Sequence, residues 1–494
     1  MKRISINPIT RLEGHGTIEI FLDEQGNVAN TYFQVPELRG FEQFCVGRRA
    51  EEMPGITNRI CGVCPEAHHM AAVKALDSLF AVEPPSAAKK VRELFYMAFF
   101  VTDHTTHFYA LGGPDFILGP DAPPGERNIL GVVKKVGLDA GKQVIDCRKR
   151  NHHVIEKLGG RAIHPSAGVP GGWSKPISPE DRAEIQAIAE KNIEFALFTL
   201  DIFDKVVLRN SAYLDLVTSD VYHHRTYSMG TVDENNRLNF YDGKIRVVDP
   251  DGREFLKYHP SEYAGHIAER VEPWTYLKFP YLKKPGWKGF ADGADSGVYT
   301  ATPLARLNVC DGLTTPLAQE RFEHFYHAFG GKKIDGRFQP VHHRLATHWA
   351  RLIELLYAAE RMKELAMDAE IASPQVRNIP RQVAGEGIGC VEAPRGTLTH
   401  HYVTDERAVL KRVNLVVGTT NNYAAISMSI KRVAEKLIHN HAVIEEGLLN
   451  RVEMAFRLYD PCLSCATHSL PGNMSLIVNI RNPRGEILRS LRRD

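Results

Sequence analysis

The sequence has no apolar run long enough to cross a membrane. Roughly 20 such residues are needed, and the longest stretch, residues 94–101, gives way at once to Asp103 and His104. Two basic residues open the chain with no apolar signal segment behind them, so a cytoplasmic location is expected. Long runs of lysine and arginine are missing as well, apart from a short arginine cluster at 484–493. With a formal net charge of +2, nucleic acid has no electrostatic footprint here. Internal repeats and low-complexity tracts are absent. Cysteine is scarce, eight in 494 residues, which is too few for a disulfide scaffold. The glycine-rich residues 385–396 lack the Gly-Lys-Ser/Thr of a phosphate loop and the dinucleotide fingerprint, and read as a plain loop. What is present, 43% apolar and 24% charged residues, suits a folded chain with a sizeable core.

Four of the cysteines are paired. Arg59-Ile-Cys61-Gly-Val-Cys64-Pro-Glu-Ala-His68 lies near the N-terminus, and Asp460-Pro-Cys462-Leu-Ser-Cys465-Ala-Thr-His468 near the other end. The Cys-x-x-Cys spacing lets both sulfurs of a pair reach one metal, and the neighbouring Pro or Gly supplies a turn. Only a fold that joins the chain's ends can unite the two pairs. Cys45, Cys147, Cys310 and Cys390 have no such pairing and are expected as small buried apolar residues. Spacing leaves three readings open: a structural zinc, an iron–sulfur cluster, or nickel or iron held by thiolates with positions open for a small substrate. Zinc modules usually take both pairs from neighbouring residues, and clusters draw several ligands from one local run.

Along the chain, alternation over residues 16–35 around Gln25-Gly26-Asn27 predicts a β-hairpin. Thr10-Arg11-Leu-Glu13-Gly-His15 before it reads locally as a surface turn. Residues 38–52 look helical, stopping before Pro54. The first cysteine motif leads into a helix through residue 79, which puts Cys64 at a helix N-terminus, where a thiolate is favoured. Apolar periodicity predicts helices over 87–111, 131–158, 179–208 (capped by Ser178), 317–329, 342–369 and 424–439. The first of these carries Asp103-His-Thr-Thr-His107-Phe-Tyr109, as easily a satisfied core network as a functional one. Residues 213–312 look irregular, with strand signals at 238–241 and 244–248; strands follow at 397–403 and 413–417.

These motifs are similar, in order and along essentially the whole chain, to those of the large, catalytic subunit of [NiFe]-hydrogenases. Both cysteine signatures carry the resemblance, together with Thr10 to His15, Asp103 to Tyr109 and Glu392-Ala-Pro394-Arg395-Gly396. The second signature resembles the cytoplasmic, cofactor-coupled group, which includes NAD(P)-linked, deazaflavin-linked and heterodisulfide-reductase-linked enzymes. The sequence is closest to the last. Two readings stand against it: a non-catalytic scaffold with structural zinc, and a respiratory-complex quinone-site subunit, which shares the fold but lacks these cysteines.

The resemblance implies an α+β fold, predominantly helical, with a central helix bundle and small peripheral β-sheets. Residues 1–468 would be the catalytic domain, with 213–312 an insert, and 469–494 an extension that a maturation endopeptidase removes after a chaperone inserts nickel. Cys61 and Cys462 would be terminal nickel ligands, with Cys64 and Cys465 bridging to an iron that carries carbon monoxide and two cyanides. Dihydrogen would be split into hydride and proton, with the Cys462 sulfur or Arg395 as base and Glu13 relaying the proton. Asp103 and Asp460 would pair with Arg395, and His68 would hydrogen-bond a bridging sulfur. Pro394 and Thr419 or Thr420 would border the cyanides, although the chain has Val416-Val-Gly-Thr-Thr-Asn-Asn422 where the family often has Val-x-Pro-Ser/Thr-Thr-Trp-Asn. Magnesium, or iron, would bind Glu42, His468 and the Leu415 carbonyl. No ligands remain for an iron–sulfur cluster in this chain. The implied partners are therefore an iron–sulfur small subunit, with further electron-transfer subunits (heterodisulfide-reductase, flavin or NAD(P)/deazaflavin-reducing) beyond it.

Overall fold

The computed structural model describes residues 2–7, 9–35, 40–334, 336–440 and 445–463, and the backbone of 476–481 and 487–493. Its centre is the helix Thr347–Met367, buried on nearly every side, with Ser86–Thr106 and Pro179–Phe203 packed against it and Leu138–Gly159 behind. Pro179–Phe203 shows why these segments become helices. Ser178 Oγ accepts from the Asp181 N–H at 3.0 Å and Pro179 opens the first turn. Ile185, Ile188, Phe195, Leu200 and Phe203 then recur at helical spacing to make the buried stripe. Each such side chain taken fully out of water contributes about 1.5–3 kcal/mol. Small sheets surround the bundle. Lys2–Ile6, Thr17–Leu22 and Val28–Gln34 form one antiparallel sheet, and Glu386–Ala393, Gly396–Thr404 and Leu410–Val416 another. No described helix is long and apolar enough to cross a membrane.

Several expectations change. The 38–52 helix is broken into Phe41–Phe44, the turn Ala50–Glu52 and Met53–Thr57, with residue 38 outside the described residues. Pro54 does not stop it, because at the second helical position its missing N–H has no bond to lose. The helix expected over 131–158 is two, Ile129–Val136 and Leu138–Gly159, separated by Gly137 at φ +100°. Residues 213–312 hold a four-stranded sheet whose members include Tyr227–Val232, Lys244–Val248 and Glu254–Tyr258, while 238–241 is not a strand.

The glycine-rich stretch is the most informative correction. It is not a loop but the strand Glu386–Ala393, lying on the helix Pro65–Leu79. A Cβ at Gly387 would stand 2.3 Å from the Ala75 carbonyl oxygen, and one at Gly389 would stand 2.2 Å from the Ala71 oxygen. These glycines mark backbone-to-backbone packing, not flexibility. That packing carries the hairpin's tip to the N-terminus of the helix, where Cys64 sits.

The chain's two ends are joined by a seam. The Leu463 N–H donates to the Glu13 carbonyl at 2.9 Å, and Thr10 Oγ1 donates to Glu453 Oε2 at 2.8 Å. Arg11 and Arg457 both grip Asp115, and Arg457 also pairs with Glu453. Asp115 is buried, but its two guanidinium partners outweigh burial and hold its carboxyl below the usual carboxylate range.

Candidate metal centre

The seam brings opposite ends of the sequence to one point. Cys64 caps the helix Pro65–Leu79, with Pro65 in its first turn. Cys61 precedes it on a loop whose Val63 N–H donates to the Cys61 sulfur at 3.2 Å. Cys462 follows the helix Glu446–Arg457 and a left-handed Asp460 at φ +54°, a conformation that aspartate tolerates better than most residues. The Thr419 hydroxyl accepts the Cys462 N–H at 3.1 Å. The Cys61 and Cys462 sulfurs lie 3.1 Å apart, and the sulfurs of Cys61, Cys64 and Cys462 all fall within 4.8 Å of one another, each buried. A disulfide would need about 2.05 Å. Thiolates bonding one metal at roughly 2.3 Å are compatible with separations of this size. Cys465 and His468 lie outside the described residues.

The tip of the hairpin, Ala393-Pro394-Arg395-Gly396, aims Arg395 at this point. Arg395 Nη1 donates to Asp103 Oδ2 at 2.9 Å, and Nη2 stands 3.2 Å from Asp460 Oδ2. Burial alone would lower the Arg395 pKa, yet Asp103 and Asp460 more than offset it and raise it well above its ordinary value. Both carboxyls are themselves pushed up by burial, since two acids share one cation. Gly396 (φ +145°) and Gly418 let the hairpin pass close to the next loop; a Cβ on Gly396 would meet the Gly418 oxygen at 2.5 Å. Behind the tip, Arg306 donates to the carbonyls of Ala393 at 2.9 Å and Pro394 at 3.1 Å while pairing with Glu354 and Glu392. Glu354 in turn meets His104 Nε2 at 3.0 Å.

Between the sulfurs and the hairpin is a cavity of about 240 Å³, lined by Cys64, Ala67, His68, Ala393, Arg395, Leu398 and Val417 to Thr419. Of the three residues expected to border diatomic ligands, only Thr419 lines it. Pro394 turns its carbonyl to Arg306, and Thr420 begins the turn Thr420–Asn422. Glu13 Oε2 lies 3.0 Å from the Cys462 sulfur. His68 is fully buried, and its Nε2 has no partner among the described residues. The Asp103 Oδ1 and Arg395 Nε atoms are likewise buried without partners among them. Three converging thiols, a cavity and unsatisfied polar atoms aimed around it suit a soft metal carrying small polar ligands.

The second expected metal site fits less well. Glu42 Oε1 accepts the Leu415 N–H at 2.8 Å, so the two residues do adjoin, but Lys278 Nζ is 3.0 Å from Glu42 Oε2. That ammonium already neutralises the carboxylate. The remaining cysteines contrast with the motif pairs: burial pushes Cys45 and Cys147 up to about 11 and Cys310 and Cys390 up to about 12, which suits inert core thiols. Sequence reasoning missed Arg306, Glu354 and Glu66. Burial raises Glu66 to about 8, and its Oε2 is unpartnered among the described residues. A lone Glu354 or Arg306 in an apolar helix was the available signal.

Comparison with known proteins agrees with this geometry. The profile of the family described as nickel-dependent hydrogenase matches residues 39–121 and 215–468, and one described as HoxL-like matches 3–38. The chain is 47% identical, over all of both chains, to a protein of Archaeoglobus profundus described as an F420-non-reducing hydrogenase iron-sulfur subunit. It is 37% identical to the NAD-reducing hydrogenase HoxS subunit beta of Cupriavidus necator, over 99% of each. The crystal structure of an NAD+-reducing [NiFe]-hydrogenase in the H2-reduced state superposes with a TM-score of 0.85 at 34% identity, covering 95% of this chain and all of that one. The Ni-Fe-Se hydrogenase of D. vulgaris Hildenborough shares the fold, with a TM-score of 0.71 at 23% identity over 94% of this chain and all of that one.

Proposed function

The chain belongs to the nickel-dependent hydrogenase family, as the catalytic large subunit of a [NiFe]-hydrogenase, and on that premise we propose how its own residues serve the reversible heterolysis of H2. Cys61 and Cys462 hold nickel as terminal ligands, and Cys64 and Cys465 bridge it to an iron that carries carbon monoxide and two cyanides. When bound, this centre supplies the cleavage of dihydrogen and takes up its electrons. Thiolates suit it because they are soft, electron-rich and able to take a proton.

The observation that carries the proton route is the 3.0 Å contact between Cys462 Sγ and Glu13 Oε2. A proton taken up at the Cys462 sulfur is within hydrogen-bond reach of the Glu13 carboxylate. Glu13 is only half-buried, so it hands the proton on toward solvent. Arg395, kept firmly cationic by Asp103 and Asp460, is the poorer base and serves instead to hold positive charge over the cavity. Leu398 and Val417 give that cavity an apolar wall, which keeps water from the reacting atoms. Glu13→Gln keeps the shape and removes the carboxylate. The expected result is unchanged nickel content with H2/D+ exchange reduced about 10²–10⁴-fold; exchange at the parent rate would rule out this route.

Residues 62 and 63, between two buried cysteines, are exposed, Val63 by 38%. An iron–sulfur small subunit docks at this thin wall and takes the electrons in the cytoplasm. The electron acceptor beyond it is of the F420-non-reducing, heterodisulfide-reductase-linked kind. Magnesium at Glu42, Leu415 and His468 is coordinated only if Lys278 is displaced. Residues 469–494 are removed by an endopeptidase after a chaperone delivers nickel. In support, the strands Leu476–Arg481 and Ile487–Arg493 pair only with each other, so a cut before them unpicks no other described sheet. Intact mass of active enzyme decides this: a chain ending at His468 is expected, and one retaining the extension contradicts it.

A further inference from the structure

His68 stands at the end of a buried row. His68, His400 and Tyr402 are all fully buried. His68 Nδ1 lies 3.1 Å from His400 Nε2, and His400 Nδ1 lies 2.6 Å from the Tyr402 hydroxyl. Strand alternation places Leu398, His400 and Tyr402 on one face of Gly396–Thr404. That strand's register opposite Gly389, where the motif helix comes closest, brings His400 to His68. The free end of the row is His68 Nε2, on a ring that lines the cavity beside Cys64 and Thr419. A buried polar atom without a partner costs about 1–3 kcal/mol. The bound centre is what would satisfy it.

The row can be polarised in two ways. Two imidazoles 3.1 Å apart in an apolar interior cannot both be cations, so a single hydrogen lies between them. In one arrangement Tyr402 donates to His400 Nδ1, His400 Nε2–H donates to His68 Nδ1, and His68 Nε2 carries a hydrogen into the cavity. In the other every bond reverses, and His68 Nε2 presents a lone pair. A phenol is a good donor and a poor acceptor, whereas a neutral imidazole nitrogen is a strong acceptor. The other neighbour of Tyr402, Thr57, commits its own hydrogen to the Met53 carbonyl at 2.8 Å, and its oxygen is a weaker base than His400. The first arrangement therefore wins.

We infer that Tyr402 and His400 are positioning residues that fix the tautomer of His68, so that its Nε2–H donates to a thiolate of the nickel–iron centre. This rests on the nickel–iron reading above. Residues behind a metal site typically change activity by about 10–100-fold when removed.

Tyr402→Phe, made in the complex with its partner subunits, removes only the hydroxyl. Infrared spectra of carbon monoxide and cyanide stretches then report the charge on the centre independently of turnover. The expected result is full nickel and iron content, shifted or doubled bands, and turnover lowered roughly 10-fold. His400→Gln, which keeps an N–H near the Nε2 position, is expected to hold the parental bands, while His400→Leu shifts them. Unmoved bands at full metal content in both Tyr402→Phe and His400→Leu overturn the inference. Loss of metal in all three variants, with no band shift in any, reduces the row to a folding role and overturns it too. A parent enzyme with no such bands sinks the nickel–iron reading itself, so the two failures are distinct.

Discussion

The two walls of the sulfur site are held by opposite physics. Cys61 and Cys64 belong to a wall built by contact: the motif helix and the strand Glu386–Ala393 approach so closely that Gly387 and Gly389 leave no room for a side chain. Cys462 and Glu13 belong to a wall built by charge, where Arg11, Asp115, Glu453 and Arg457 join the two ends of the chain with little exposure. A steric wall is indifferent to pH and fails when volume is added. An ionic wall fails when one charge is left in the interior without its partner.

Arg457→Met is the largest way to break this contrast. It leaves Asp115 and Glu453 facing only Arg11, and loss of one partner from a buried ion pair costs about 3–5 kcal/mol. Denaturant unfolding and nickel content should both fall, with hydrogen exchange rising first at residues 9–16. If exchange rises instead around the motif helix, the two walls are not separate. Gly389→Ala probes the other wall. Its Cβ meets backbone and not a flexible side-chain end, so overpacking of about 1–3 kcal/mol is expected, with exchange rising over Pro65–Leu79 and the seam intact. Acid is the mildest probe. Asp115 has a depressed folded-state pKa, so its contribution is complete above its unfolded value, about 3.9, and is lost as pH falls through the lower folded value. Opening at residues 9–16 should therefore appear below about pH 4 and be absent in Asp115→Asn, already loosened at neutral pH.

The same contrast explains what could be read in advance. The contact wall has local signals: a Cys-x-x-Cys before a proline-started helix and regular apolar spacing along the bundle. Even there Glu386–Ala393 looked like a loop, because Gly387 and Gly389 signal flexibility until the helix they touch is known. The charged wall has almost none. Arg11, Asp115 and Arg457 come from three distant segments, and each alone reads as an ordinary solvated charge. Arg306 and Glu354, which set the hairpin tip behind Arg395, escaped for the same reason. Family resemblance pointed to Glu13 where spacing did not, since its partner Cys462 is near the other end of the chain. For Cys465 and His468, outside the described residues, the resemblance alone speaks.

The central claim is that sulfurs from the two ends of the chain converge on a nickel–iron centre. Metal analysis of the enzyme purified with its partner subunits, paired with its infrared spectrum, tests it most directly. Equimolar nickel and iron with stretches from bound carbon monoxide and cyanide are predicted; zinc alone, with no such bands, would contradict it.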